Sequence, residues 1–132
     1  MSKKKAYVIG ANVRTSLSPA IFNYWFDKYN VDGEYGYIEI EEKNFEKEIK
    51  LILKDNDLIG LNITMPYKEK IIPHLRYKER DWTTLDHTAQ STGAVNHIIK
   101  NITGGWMGCN SDDFGFSKAI EPFEKQMNKK NK

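Results

Sequence analysis

This sequence predicts an α/β fold: a single domain with a mostly parallel sheet covered by helices on both faces. Three observations carry that reading. Strand-like apolar runs alternate with helix-like amphipathic segments from Ala6 to about Phe123, the order that layered α/β folds produce. The densest run, Leu58-Ile59-Gly60-Leu61-Asn62-Ile63-Thr64, is apolar at both alternating sets of positions, as in strands covered on either side. A length of 132 residues matches one hydrophobic core, which typically uses about 100–150 residues.

Element by element, Ala6-Tyr7-Val8-Ile9 is a short apolar run ended by Gly10 and reads as a buried first strand. A polar loop from Ala11 leads to Ser18-Pro19. Serine caps helices and proline fits the first helical position, so a helix is expected to start here with Ser18 as its cap. Its inner face would carry Ile21, Phe22, Trp25 and Phe26, and Asp32-Gly33 would close it. Tyr35 to Ile40 alternates as a strand does, with Tyr35, Tyr37 and Glu39 opposite Ile38 and Ile40. A second helix is expected over residues 43–54, followed by the Leu58–Thr64 strand. Met65-Pro66 should turn the chain into a short helix ending near Ile72. Residues 73–92 read as helical or irregular, Ala94 to Ile99 as a strand, Gly104 to Gly108 as a turn and short strand, and Asp112 to Phe123 as a helix running into a lysine-rich tail over 124–132.

Composition narrows the function. Hydrophobic residues make up 39% and charged residues 29%, with a mean hydropathy of −0.65, an ordinary balance for a water-facing globule. No apolar run reaches the roughly 20 residues that span a bilayer, and no stretch of signal-peptide length follows the basic N-terminus. Net charge is +2, but seven lysines lie in the terminal segments, leaving 13 basic against 18 acidic groups between residues 6 and 124, a net of −5. A nucleic-acid binder would carry its basic stripe on the folded body, so no nucleic-acid partner is expected. One cysteine, Cys109, builds no internal disulfide. It reads as a small buried side chain, and a reducing cytoplasm is the expected location. His74, His87 and His97 lack metal-ligand spacing, so no metal is expected. Trp25 and its aromatic neighbours read as core. Gly104, Gly105 and Gly108 do not form a dinucleotide fingerprint.

Ligands of open α/β sheets collect beyond the carboxyl ends of strands, which directs attention to the loops after Ile9, Ile63 and Ile99. Three polar clusters lie at or near these places. In Ser16-Leu17-Ser18-Pro19 two hydroxyls flank a helix start, where they could serve an anion or only cap the helix. In Asn62-Ile63-Thr64-Met65-Pro66-Tyr67-Lys68, Asn62 and Thr64 share one strand face. Lys68 would lie in the first turn of a helix, where the dipole disfavours a cation by roughly 0.3–1 kcal/mol. It is then either simply solvated or aimed at something anionic or reactive. The third cluster joins Gly93-Ala94-Val95-Asn96 to Asn110-Ser111-Asp112-Asp113-Phe114-Gly115. Helix capping accounts for one of the two aspartates but does not require both.

In this order and at these separations, the clusters resemble the motifs of the shikimate dehydrogenase family, specifically its N-terminal substrate-binding domain. That family carries Ser-x-Ser-Pro, Asn-x-Thr-x-Pro-x-Lys, Gly-Ala-Val-Asn and Asn-Thr-Asp-x-x-Gly-Phe. The resemblance runs from Tyr7 to about Phe123. One motif would be weak, but four in sequence are specific. The departures are a loop before Ser16 without the family's Asn-Pro and His, His97 in place of a common threonine, and Ser111 in place of another.

The resemblance implies a domain over 1–123, with 124–132 at the position of a linker to the family's C-terminal Rossmann domain. That domain, which binds NADP, has no counterpart in this chain, so it would be cut off at the linker or carried on a separate cofactor-binding chain. The implied reaction is NADP-dependent reduction of 3-dehydroshikimate to shikimate, in aromatic amino acid biosynthesis, with no turnover expected from this chain alone. By the same resemblance Ser16 and Ser18 hold the substrate carboxylate. Asn62, Thr64, Asn96 and Asp112 bond its hydroxyls, and Lys68 donates the proton, paired with Asp112. The competing readings are a non-catalytic module binding shikimate, quinate or a similar hydroxylated carboxylate, and an interaction domain whose polar clusters are only caps and loops.

Overall fold

The computed structural model describes residues 3–75, 84–101 and 104–130. Five strands form one sheet: β1 (Lys4–Gly10), β2 (Gly33–Glu39), β3 (Leu58–Ile63), β4 (His97–Lys100) and β5 (Trp106–Cys109), in the order β2-β1-β3-β4-β5. The helices are α1 (Ser18–Lys28), α2 (Phe45–Ile52) preceded by a 3₁₀ turn at Glu42–Asn44, α3 (Ile72–Leu75), α4 (His87–Thr92) and α5 (Asp112–Lys130). β1 pairs with β2 and β3 in parallel, while β4 is antiparallel to both its neighbours. Four of the five strands therefore run the same way.

The period-two pattern of β1 sorts its side chains to two faces. Ile9 joins Leu61, Ile63 and Ile98 in the larger core, which Phe45 and Ile49 of α2, Ile72 and Leu75 of α3 and Ala89 of α4 complete. Phe45 and Ile49 are four residues apart and so share one helical face, and both are almost fully buried. Tyr67 stacks on Phe45 at 4.3 Å between ring centroids, and its hydroxyl donates to the Ile40 carbonyl. On the opposite face Ala6, Val8, Val13 and Tyr35 form a smaller core against Phe22 and Phe26 of α1. Helices thus cover both faces of the sheet.

Several expectations need correction. α1 buries none of its residues fully. Phe22 and Phe26 pack on the sheet, whereas Ile21 and Trp25 are each 45% exposed, so Trp25 is not core. A face of four apolar side chains is wider than the strip of β1 and β2 that the helix meets. The chain after Met65-Pro66 forms turns rather than a helix and becomes helical only at Ile72. Tyr67 N–H bonds back to the Thr64 carbonyl at 3.0 Å, closing a tight turn, and Tyr67 drives its ring into the core. The strand expected from Ala94 starts at His97, and the final helix continues to Lys130, beyond the boundary expected at Phe123. The expected helical or irregular stretch 73–92 includes residues 76–83, which lie outside the described residues.

The direction of β4 matters most for the site. Because it runs against β3, its starting end, rather than the loop after Ile99, lies beside the carboxyl ends of β1 and β3. Gly93 sends the chain there: it closes α4 at φ 69°, a left-handed conformation that glycine adopts without strain. Gly10 does a different job. A Cβ on it would lie 2.5 Å from Thr64 Cγ2 and 2.8 Å from Val13 Cγ1, so only glycine lets the end of β1 and Thr64 close up. Gly10→Ala should cost about 1–3 kcal/mol through overpacking, read as a lowered urea midpoint at unchanged m-value.

Candidate active site

The two serines stand at the start of α1, but not as expected. The cap position is Leu17, which makes no side-chain capping bond. Instead Ser16 Oγ accepts the Ser18 N–H at 3.2 Å, so Ser16 serves the helix end and the Ser18 hydroxyl is released from that duty.

At the end of β3, Asn62 and Thr64 lie on one face, the same face as Val8 of β1, whose register partner is Asn62. Asn62 Nδ2 donates to the Tyr35 hydroxyl at 2.6 Å. Thr64 is held by its N–H on the Ile9 carbonyl at 3.0 Å. Lys68 follows in the turns, so the helix-dipole conflict expected for it does not arise. Its carbonyl instead accepts the Val95 N–H at 2.7 Å, which ties the lysine segment to the one that carries Asn96.

Across the cleft, the Lys68 ammonium donates to Asp112 Oδ2 at 2.7 Å, although the two residues are 44 positions apart. The other oxygen, Asp112 Oδ1, accepts from Asn96 Nδ2 at 3.1 Å. Lys68, opposed by the burial of the carboxyl and aided by Asn96, holds the Asp112 carboxyl below the usual carboxylate range. It is therefore ionised at neutral pH and stands as the counter-ion of Lys68. The Asn96 amide is spent on this arrangement. Its second donor position goes to Ser111 Oγ at 2.9 Å, and its oxygen accepts from the Ser111 N–H at 3.2 Å and lies 2.7 Å from His97 Nδ1. Both hydrogens and both lone pairs are engaged, so Asn96 braces the carboxylate and reaches a ligand only by releasing one of these bonds. Beneath it Asn110, 7% exposed, accepts the Asp112 N–H at 2.8 Å and donates to Thr92 Oγ1 and the Ala94 carbonyl.

The structure brings all seven residues singled out from the sequence to one cleft of about 390 Å³: Ser16, Ser18, Asn62, Thr64, Lys68, Asn96 and Asp112. Hydroxyls, amides and a charged donor–acceptor pair lining one cleft suit a small molecule carrying a carboxylate and several hydroxyls. Four further participants had no site role in the sequence reading, although Ser111 stood in the third polar cluster. Asn12 lines the cleft, and Tyr35, Ser111 and His97 hold its side chains. The alternation of β2 placed Tyr35 and Tyr37 on one face, but nothing in the sequence said which phenol reaches the site. Elsewhere, His74 Nε2 lies 2.9 Å from Glu46. Cys109 is half-buried, with burial and the nearby Asp86 raising its thiol pKa. Among the described residues no three His, Cys, Asp or Glu side chains converge as a metal site would need, and no helix is long and apolar enough to cross a membrane.

The family model of the shikimate dehydrogenase substrate binding domain matches residues 8–98, from the middle of β1 through Asn96 and into β4. The chain belongs to this family. It is 36% identical over 118 residues to the NADP(+) shikimate dehydrogenase of Streptococcus mutans, covering 89% of this chain and 38% of that protein. The shikimate dehydrogenase of Aquifex aeolicus superposes with a TM-score of 0.76 at 31% identity, over 91% of this chain and 42% of that one. The shikimate 5-dehydrogenase of Listeria monocytogenes, solved in complex with shikimate and NAD, gives 0.76 at 26% identity, over 92% and 39%. The chain thus spans about two fifths of the length of the shikimate dehydrogenases it matches.

Proposed function

We propose that this chain is the substrate-binding portion of a shikimate dehydrogenase, holding 3-dehydroshikimate or shikimate during NADP-dependent reduction of the ketone to the alcohol in aromatic amino acid biosynthesis. The observation that carries the proposal is the 2.7 Å contact of Lys68 with Asp112, in one cleft with two serine hydroxyls. A binding module without chemistry gains nothing from a charged proton donor held in its cleft. The Streptococcus mutans relative, an NADP(+) enzyme, supports the cofactor.

A nicotinamide cofactor supplies the hydride in this reaction, and the described residues are not built to hold it. None of them forms a glycine-rich strand–turn–helix, and the N-terminus of α5, beside the cleft, already carries the Asp112 carboxylate, which would repel a phosphate. The nucleotide therefore depends on a further domain, on the same polypeptide or on a partner chain. The part played by these residues is to bind, orient and move a proton. Ser16 and Ser18 take the substrate carboxylate, with hydroxyl donors at a helix start. Asn62 and Thr64 take ring hydroxyls, joined by Asn96 once it releases a bond. The Lys68 ammonium donates its proton to the ketone oxygen as negative charge develops there, and Asp112 accepts from the neighbouring hydroxyl while holding Lys68 in place. A reducing cytoplasm suits the free thiol of Cys109.

Shikimate should raise the melting temperature of the chain. Saturation to a hundredfold excess over Kd corresponds to about 2.7 kcal/mol. No shift at millimolar shikimate, with quinate run in parallel, overturns the proposal.

A further inference from the structure

Tyr35 is absent from the set of residues that line the cleft, yet its side chain holds one of them. The residue is 6% exposed. Its backbone is fixed to α1 by Asn23, whose Nδ2 donates to the Tyr35 carbonyl at 2.8 Å and whose Oδ1 accepts the Tyr35 N–H at 2.9 Å. Its ring is clamped by Phe22, stacked 4.6 Å away at 13°. A ring so constrained places its hydroxyl without choice, and that hydroxyl meets Asn62 of β3 at 2.6 Å.

We infer that Tyr35 is a positioning residue that fixes which hydrogen-bonding group Asn62 presents to the ligand. A phenol has one hydrogen to donate and lone pairs to accept with. Asn62 Nδ2, a donor only, occupies a lone pair of the phenol oxygen. Anchored through its NH2 group, Asn62 turns Oδ1 to the ligand as an acceptor for a hydroxyl. One buried phenol thus sets the polarity of that contact. Burial raises the phenol pKa, which keeps the hydrogen in place.

The inference rests on the substrate proposed above, and its test separates the two. Tyr35→Phe keeps the ring stack and the Asn23 bonds and removes only the hydroxyl. In the ligand-free chain the Asn62 side-chain amide resonances should move, and shikimate affinity by calorimetry should fall about tenfold, the scale of one lost hydrogen bond with its partners left unpaired. The Tyr35 Cζ resonance in Asn62→Ala protein reads the same contact from the other side, so the test does not depend on one variant folding. An unsubstituted chain that binds no shikimate overturns the substrate assignment, while the resonances still decide the role of Tyr35. Unmoved resonances overturn the inference, and so does a Tyr35→Phe chain that binds shikimate as tightly as the original.

Discussion

Replacing Lys68 by alanine should lower NADP-dependent oxidation of shikimate at least about 100-fold while shikimate still binds, when this chain is joined to a cofactor domain. The magnitude is that of a lost general acid–base group. Among the residues lining the cleft Lys68 is the one cation, so no neighbour stands ready to take its place. Removing it also leaves Asp112 Oδ2 without its 2.7 Å partner, and the carboxyl pKa returns toward the ordinary range. Lys68→Arg sharpens the test. A guanidinium keeps a positive charge beside Asp112 but does not give up a proton at neutral pH. If proton transfer is the role, the arginine variant should bind shikimate yet stay as slow as the alanine one. If electrostatic attraction alone matters, arginine should restore the rate. Steady-state kcat and KM for the three proteins decide, and an unimpaired rate for the alanine variant removes Lys68 from the chemistry.

How far the sequence could be read depends on what periodicity encodes. Alternation of apolar residues gave the strand cores at Val8, Ile9, Leu61 and Ile63 and the helix face of Phe45 and Ile49, because burial repeats with the geometry of the element. It says which face a side chain takes but not which way a strand runs, so the reversal of β4 was invisible, and the site was sought after Ile99 when the chain reaches it before His97. Lys68 was read into a helix because proline favours the first helical turn. Tertiary pull on Tyr67, buried against Phe45, overrode that local preference. The site residues were legible as clusters because polar side chains at strand ends stand out against apolar runs. Tyr35 and His97 were not, since each lies within an ordinary-looking strand and acts through a neighbour that only folding supplies.

The support under Asp112 leads to the other large effect, at Asn110. This residue is the one buried amide or charged side chain among those described, and it ties the start of α5 to the chain at the end of α4. It accepts from the first N–H of α5, donates to Thr92 at the end of α4 and donates to the Ala94 carbonyl. Asn110→Ala deletes all three part-buried bonds at once. Net hydrogen bonds contribute about 0.5–1.5 kcal/mol each, so a loss of about 2–4 kcal/mol is expected. The consequence extends past stability. The Asn110 acceptor sets the position of the first residue of α5, and with it the carboxylate that must meet Lys68. Shikimate affinity should therefore fall in the folded fraction too, measured at a temperature well below the lowered melting point. A serine at position 110 can accept the Asp112 N–H but is too short to keep both donor contacts. Asn110→Ser should thus recover part of the affinity with less of the stability. If both variants bind shikimate like the original chain, Asn110 is a core hydrogen-bonding group and nothing more, and the carboxylate finds Lys68 without its help.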